Sequence, residues 1–301
     1  MKKLVLIAGG SGLIGGYVSD ELAEMGYEVN WLSRKANESD KFPSYVWDPV
    51  TNFIDPAVPQ DLYAIINLAG TAIAGTRWTT KRKASIIDSR IESNQYLQFL
   101  LQSGRLKANK YVSAAAMGYY GNRGEAWIEE DQKPHGKGFL QECCVQWEES
   151  IENVSSTGIN TVWFRIGLVL AREGGALPQL KLPFKFGLGL YFAAKNSFQS
   201  WIHIQDLARM FAQAIQQDLQ SGAYNAAAPN PVKNIIFANE MKAMFKHPTL
   251  LLRIPPFMTR LLLGEMSQIL LTGVRMNTEK IRNTGFEFKY PTIEAALQDL
   301  K

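Results

Sequence analysis

Cysteine is nearly absent from this 301-residue chain. Cys143 and Cys144 are the only two, and as neighbours they would close a strained ring, so no disulfide framework is expected. Histidine is scarce too: His135, His203 and His247 are scattered, and no group falls at metal-ligand spacing, so no metal site is expected. Charge of one sign is also lacking. The net charge of +4 is spread along the chain, and its densest cluster, Lys81-Arg82-Lys83, is too short to indicate a nucleic-acid partner. The most apolar region, Leu250 to Leu271, is interrupted by Arg253, Pro255, Pro256, Arg260 and Glu265, which argues against a membrane span. Met1-Lys2-Lys3 precedes an apolar run that glycines soon end, with no small-residue cleavage site, which argues against a secretion signal. The expectation is a cytoplasmic protein with a small-molecule substrate, no nucleic-acid or membrane partner, and a monomeric or homodimeric state.

What is present begins at Leu4-Val5-Leu6-Ile7-Ala8, a short apolar run that reads as a buried strand. Gly9-Gly10-Ser11-Gly12-Leu13-Ile14-Gly15 follows and leads into a helix over Tyr17 to Met25. Strand, glycine turn and helix in that order form a phosphate cradle. Gly9 permits the tight turn, Gly12 lets backbone approach a pyrophosphate, and Gly15 lets the helix pack closely on the sheet. The free N–H groups and dipole at the helix N-terminus favour the anion. Glycine-rich turns also occur as plain punctuation, but the flanking strand and helix supply the context that dinucleotide binding requires.

Glu28-Val29-Asn30-Trp31-Leu32 reads as the second strand, and it runs into Ser33-Arg34-Lys35. An NAD-preferring site places a carboxylate here, about 20 residues past the motif, to accept from the ribose 2′-OH. A hydroxyl followed by two cations suits a 2′-phosphate instead, which Arg grips through parallel N–H bonds. NADP is therefore the expected cofactor, and a solvated basic turn is the plainer alternative.

Further strands are expected at Ala64–Gly70, Lys110–Ala115 and Thr161–Gly167, with helices at Lys83–Leu101 and Gly138–Val154 between them. This alternation implies an α/β fold: a doubly wound parallel sheet of Rossmann type, with ligands outside the carboxyl ends of the strands. Gly174 to Phe198 reads as a loop-rich excursion. Ser200–Ile204 then reads as a short strand before a helix over Asp206–Gln217, with Asp206 as its N-cap. Helical stretches are expected at Asn234–Phe245, Pro256–Leu271 and Thr278–Gly285, and Thr292 reads as the cap of a last helix, Ile293–Leu300. The expected division is a dinucleotide-binding domain over 1–170, with 200–228 returning to it. A smaller α+β substrate lobe over 171–301 includes a C-terminal extension from about 248.

Taken together these segments resemble the extended short-chain dehydrogenase/reductase superfamily. Within it they resemble the atypical epimerase-family branch, the 39U type, which carries a C-terminal extension. The resemblance rests on Gly9 to Gly15, Leu32-Ser33-Arg34-Lys35, Asn67-Leu68-Ala69-Gly70, Arg77-Trp78-Thr79 and Gly118-Tyr119-Tyr120-Gly121. It continues through Arg165-Ile166-Gly167, Gly174-Gly175-Ala176-Leu177, Ser200-Trp201-Ile202-His203-Ile204 and Gly285-Phe286-Glu287-Phe288. It implies NADP phosphates at Gly9, Ser11, Gly12, Leu13, Ile14 and Gly15, and the 2′-phosphate at Ser33 and Arg34, with Lys35 also among the cofactor-binding residues. It further implies Leu68 and Ala69 beside the adenosine half, Arg90 near the cofactor, and Val169 near the nicotinamide. The implied activity is oxidoreductase or epimerase-like, on a small polar or nucleotide-sugar-like substrate.

Active members of the superfamily use a Tyr and a Lys four residues apart on one helix, where the Lys lowers the phenol pKa for proton transfer. Phe139 and Cys143 stand at those places here, and Ala115 or Ala116 replaces the usual hydroxyl, with Ser113 nearby. Tyr120 and Tyr119 follow the strand end and are the candidate acids, and they serve equally well as aromatic loop anchors. Two functions stay open: an enzyme using another acid, or a non-catalytic NADP(H)-binding sensor or interaction protein.

Overall fold

The computed structural model describes residues 3–35, 37, 39–192 and 197–301. Apolar runs that are buried on both faces become the strands of one central sheet. In chain order the first half comprises β1 (Leu4–Ala8), α1 (Leu13–Glu24), β2 (Glu28–Ser33), β3 (Ser44–Asp48), β4 (Phe53–Ile54) and β5 (Ala64–Asn67). It continues with α2 (Thr80–Gln102), β6 (Lys110–Ala116), β7 (Trp127–Ile128), α3 (Phe139–Ser155), β8 (Asn160–Ile166) and β9 (Leu168–Leu170).

The second half is less regular. It contains α4 (Leu177–Lys185), β10 (Leu188–Phe192), β11 (Phe198–Gln199), β12 (Trp201–His203), α5 (Ile204–Gln216), β13 (Gly222–Ala226), β14 (Val232–Lys233) and α6 (Asn234–Ala243). The tail adds β15 (Leu250–Ile254), α7 (Pro256–Leu263), α8 (Gln268–Leu271), β16 (Arg275–Met276), α9 (Glu279–Arg282) and α10 (Ile293–Asp299).

The main sheet has the order β13-β8-β6-β5-β1-β2-β3-β4. All its neighbours are parallel except β3 and β4 at one edge. Helix α1 packs on α5 and α2 packs on α3, so the sheet is doubly wound as the alternation predicts. Strand order reverses at β1, between β2 and β5, and opens a crevice at their carboxyl ends. The core runs through the sheet, with Leu6, Ile7, Ile65, Ile66, Phe164 and Phe211 fully buried.

Several expectations need correction. The excursion from Gly174 holds a helix, α4, and a strand, β10, and its residues 193–196 lie outside the described ones. Strand β10 finds a partner 62 residues on, β15, in parallel register from Leu188↔Leu250 to Phe192↔Ile254, a pairing no local pattern reveals. The helix expected over Pro256–Leu271 breaks at Gly264, whose φ of +58° ends α7. Asp206 is not the N-cap of α5. His203 caps it, its Nδ1 accepting from the Gln205 N–H, and the buried Asp206 carboxylate instead accepts from the N–H groups of Lys289 and Tyr290. Helix α1 begins at Leu13, directly on the glycine turn, rather than at Tyr17. Thr292 does cap α10, accepting from the Ala295 N–H. No helix among the described residues is long and apolar enough to cross a membrane.

Candidate functional site

The crevice is built from the glycine turn upward. Gly9 takes a φ of +80°, and a Cβ there would come within 2.9 Å of the Leu68 carbonyl carbon and oxygen, so only glycine lets β1 and β5 leave the sheet side by side. Gly15 is equally constrained, because an added Cβ would meet the Gly9 carbonyl oxygen at 2.4 Å. Gly12 differs. Its backbone is extended at the N-cap of α1, and an added Cβ would meet only the Gly9 oxygen, at 3.2 Å. No side chain caps α1 and no acid lies in its first turn, so the N–H groups past Ser11, at Leu13, Ile14 and Gly15, head an open anion cradle. From below, the Trp31 indole donates to Ser19 Oγ (2.8 Å), which donates to the Gly15 carbonyl (2.7 Å).

The end of β2 adjoins this cradle, since Gly9 N–H donates to the Leu32 carbonyl. Ser33 Oγ is tied to the Lys35 backbone, which shapes the turn. The Arg34 and Lys35 side chains are exposed, and no carboxylate pairs with either among the described residues. Two exposed cations with no carboxylate partner among the described residues thus lie beside an uncapped helix N-terminus, a combination whose charge suits a dinucleotide carrying an extra phosphate.

Leu68 and Ala69 lie opposite. Ala69 N–H is held by Asn67 Oδ1, and Asn67 Nδ2, with two protons to give, lies within hydrogen-bonding distance of Ser93 Oγ, Asn94 Oδ1 and the Tyr111 hydroxyl. Asn94 in turn donates to Ser150 Oγ on α3. This buried, mutually satisfied network sets the carboxyl end of β5 against α2 and α3. Sequence reasoning missed it, and its one signal was an Asn closing an otherwise apolar strand.

Arg90 reaches the same edge from α2. Its Nη1 donates to the carbonyls of Thr71 and Ile86, its guanidinium lies 4.8 Å over the Trp147 ring, and burial holds its pKa below the usual arginine value. Val169 sits on β9 beyond β8. The Gly174-Gly175 turn lies against Leu13, and an added Cβ on Gly175 would lie 3.1 Å from the Val169 carbonyl. The fold thus brings the glycine turn, Ser33 to Lys35, Leu68, Ala69, Arg90 and Val169 around one crevice.

Phe139 and Cys143 belong to an apolar plug. The Phe139 ring meets Trp78 edge-on at 4.7 Å, Cys143 is buried, and Met266 and Ile269 from the tail pack on the cluster with Ile86. Lys83 pairs with Glu265 above it. Burial, slightly opposed by Arg90, pushes the Cys143 thiol up, so it is not an activated nucleophile. Ser113 Oγ is buried and spent on the carbonyls of Asn67 and Ala114.

Tyr119 and Tyr120 close a 3₁₀ turn, Met117–Tyr120, after β6. Tyr120 is fully buried. Its hydroxyl donates to Asn225 Oδ1 (2.6 Å) and accepts from Arg165 Nη1 (2.9 Å), and burial raises its pKa far above the usual phenol value. Arg165 also forms a buried two-point pair with Glu148, at 2.8 and 2.7 Å. Burial opposes the Arg165 charge, and the carboxylate outweighs it, so the guanidinium stays ionised. Tyr119 is half-buried, with the Arg165 guanidinium 3.8 Å from its ring centroid. Among the described residues no cluster of His, Cys, Asp or Glu could hold a metal ion.

The chain matches two family models: the NAD dependent epimerase/dehydratase family over residues 5–227, and a domain of unknown function, DUF1731, over 254–300. It is 36% identical to the epimerase family protein YfhF of Bacillus subtilis, covering 98% of this chain and 97% of that one. It is 35% identical to the epimerase family protein SA0724 of Staphylococcus aureus, covering 99% of each. Among solved structures, that of the human epimerase family protein SDR39U1 (isoform2) with NADPH is similar at a TM-score of 0.88 and 27% identity, over 99% of this chain and 98% of that one. A phosphate cradle at the strand-order reversal, and a likeness that extends through the tail, place the chain in the NAD dependent epimerase/dehydratase family, with a DUF1731 domain at its C-terminus.

Proposed function

We propose that the protein binds NADP(H) along the carboxyl edge of its sheet and acts as an oxidoreductase or epimerase-like enzyme on a small polar, nucleotide-sugar-like substrate. The observation that carries the cofactor reading is the uncapped N-terminus of α1 beside two exposed cations that no carboxylate pairs among the described residues. The similar human protein, crystallised with NADPH, supports it. In this reading Gly9 to Gly15 hold the pyrophosphate, Ser33, Arg34 and Lys35 the 2′-phosphate, Leu68 and Ala69 the adenosine half, and Arg90 and Val169 the nicotinamide half. Bound NADPH would supply a hydride; the chain supplies orientation, dryness and a proton.

The proton donor in this reading is Tyr119 rather than Tyr120. Both hydrogen-bonding directions of the Tyr120 hydroxyl are taken inside the core, whereas Tyr119 keeps an accessible edge and has a cation over its ring. The plug at Phe139 and Cys143 favours a second reading, a non-catalytic NADP(H) sensor, because it removes the usual acid and seals its place. Calorimetry with NADPH and NADH tests the cofactor, and tighter NADPH binding is expected. Hydride transfer from NADPH to a panel of carbonyl compounds and sugar nucleotides then separates enzyme from sensor.

A further inference from the structure

Outside the dinucleotide crevice, Arg275 sits in a built setting with no ion-pair partner among the described residues. Arg275 lies on β16, which pairs in parallel with β7 so that Arg275 is in register with Trp127. Its guanidinium is stacked between two aromatic faces, 4.0 Å from the Trp127 centroid and 4.5 Å from that of Phe198. Its Nε is buried with no hydrogen-bond partner, and no carboxylate pairs with it among the described residues. Ser197 Oγ, beside Phe198 and against Gly273, is a second buried polar atom without a hydrogen-bond partner among the described residues. Nearby, Arg123 donates to the carbonyls of Tyr120 and Lys133, and Glu125 pairs with Lys233.

Stacking holds a guanidinium flat while leaving its fork of donors free, the arrangement that grips carboxylate and phosphate oxygens. The place is suited to a substrate. The next residue, Met276, approaches Gly167, where the chain leaves β8 at the carboxyl edge of the main sheet. We infer that Arg275, held between Trp127 and Phe198, is an oxyanion-binding residue that takes a phosphate or carboxylate group of the substrate. The inference rests on the proposed enzyme reading only in assigning the anion to a substrate. The binding is read separately.

The test is a titration of the ¹⁵N-labelled full chain with inorganic phosphate and with acetate, following the Arg275 Nε–Hε resonance, which Arg275→Lys identifies by its loss. The wild type is expected to show a saturable shift with at least one of the two anions, and the anion that shifts it names the group. Binding of that anion is also measured by calorimetry, with the dinucleotide site already filled with NADPH where NADPH binds. Arg275→Gln is expected to weaken it about tenfold or more, the effect of losing a charged fork. NADPH affinity should change less than twofold. Arg275→Lys, which keeps the charge but loses stacking and fork, should fall between and covers the case that Arg275→Gln does not fold. Equal anion binding in wild type and variants, or no Nε shift with either anion, overturns the inference. Loss of NADPH binding in the wild type would overturn the cofactor reading and leave this one standing.

Discussion

The two tyrosines of the Gly118-Tyr119-Tyr120-Gly121 turn show what one sequence position can conceal. Their phenols are neighbours in the chain, 5.6 Å apart between ring centroids, yet one is sealed and one is not. Tyr119→Phe is expected to lower turnover at least about a hundredfold while leaving NADPH affinity and stability unchanged, the scale of general acid catalysis. Tyr120→Phe should do the reverse. It leaves Asn225 and the Arg165 fork short of a partner inside the core, costing about 1–3 kcal/mol of stability with turnover retained. Steady-state rates and urea unfolding of both variants separate the roles, and an inactive, fully stable Tyr120→Phe would reverse the assignment. At the same scale, Arg34→Ala should reduce the NADPH-over-NADH preference about tenfold, because its removal leaves a 2′-phosphate facing water without its guanidinium fork. Equal affinities in the wild type would sink that prediction. Residue types and spacing made the Arg34 prediction possible from sequence. The Tyr119 and Tyr120 assignment was not legible there, because Asn225 and Arg165 come from strands 105 and 45 residues away.

At the level of elements, the order of strand, glycine turn and helix was legible, since they are contiguous and the constraint is local sterics, although the helix begins four residues earlier than its apolar pattern suggests. The structure adds that its glycines are not equivalent. Gly15→Ala would drive a Cβ into the Gly9 backbone and should cost about 1–3 kcal/mol of stability. Gly12→Val has normal backbone angles, and its Cβ would press on the Gly9 carbonyl oxygen at 3.2 Å, so it should fold with a somewhat lower melting temperature while losing NADPH binding, its side chain filling the pyrophosphate's space. Thermal melts beside NADPH calorimetry read both variants, and normal NADPH binding by a folded Gly12→Val would place the phosphate site elsewhere. The plug around Phe139 was half legible. Loss of the Tyr and Lys was implied by the family resemblance, but not their replacement by a sealed contact among α2, α3 and the tail, because Met266 and Ile269 lie more than 120 residues downstream. Strands β10 and β15 were illegible for the same reason.

At the scale of the molecule, the tail is latched to the sheet domain around one buried histidine. His203 caps α5 through Nδ1, its ring stacks on Tyr290 at 3.8 Å, and its Nε2 lies 3.3 Å from Asp299 on α10. The latch includes Asp206 holding the backbone at Lys289 and Tyr290, the Tyr290 hydroxyl on Asp299, and Arg172 on the Asp299 carbonyl. Burial lowers the His203 pKa, and the nearby Asp299 and Asp206 carboxylates only partly oppose it. The unfolded chain therefore takes up a proton at higher pH than the folded one, starting near the ordinary histidine value of about 6.5. Stability from this group is complete above that pH and is lost as pH falls through it toward the lowered folded value, at up to about 1.4 kcal/mol per unit. His203→Asn keeps a side-chain acceptor for the α5 N-terminus and removes the titration. The wild type should lose melting temperature between pH 7.5 and 5.5 and the variant lose distinctly less, with protease cleavage near the C-terminus rising over the same range only in the wild type. Identical pH profiles for the two proteins would mean that the histidine titrates alike folded and unfolded, and that the latch is indifferent to its charge.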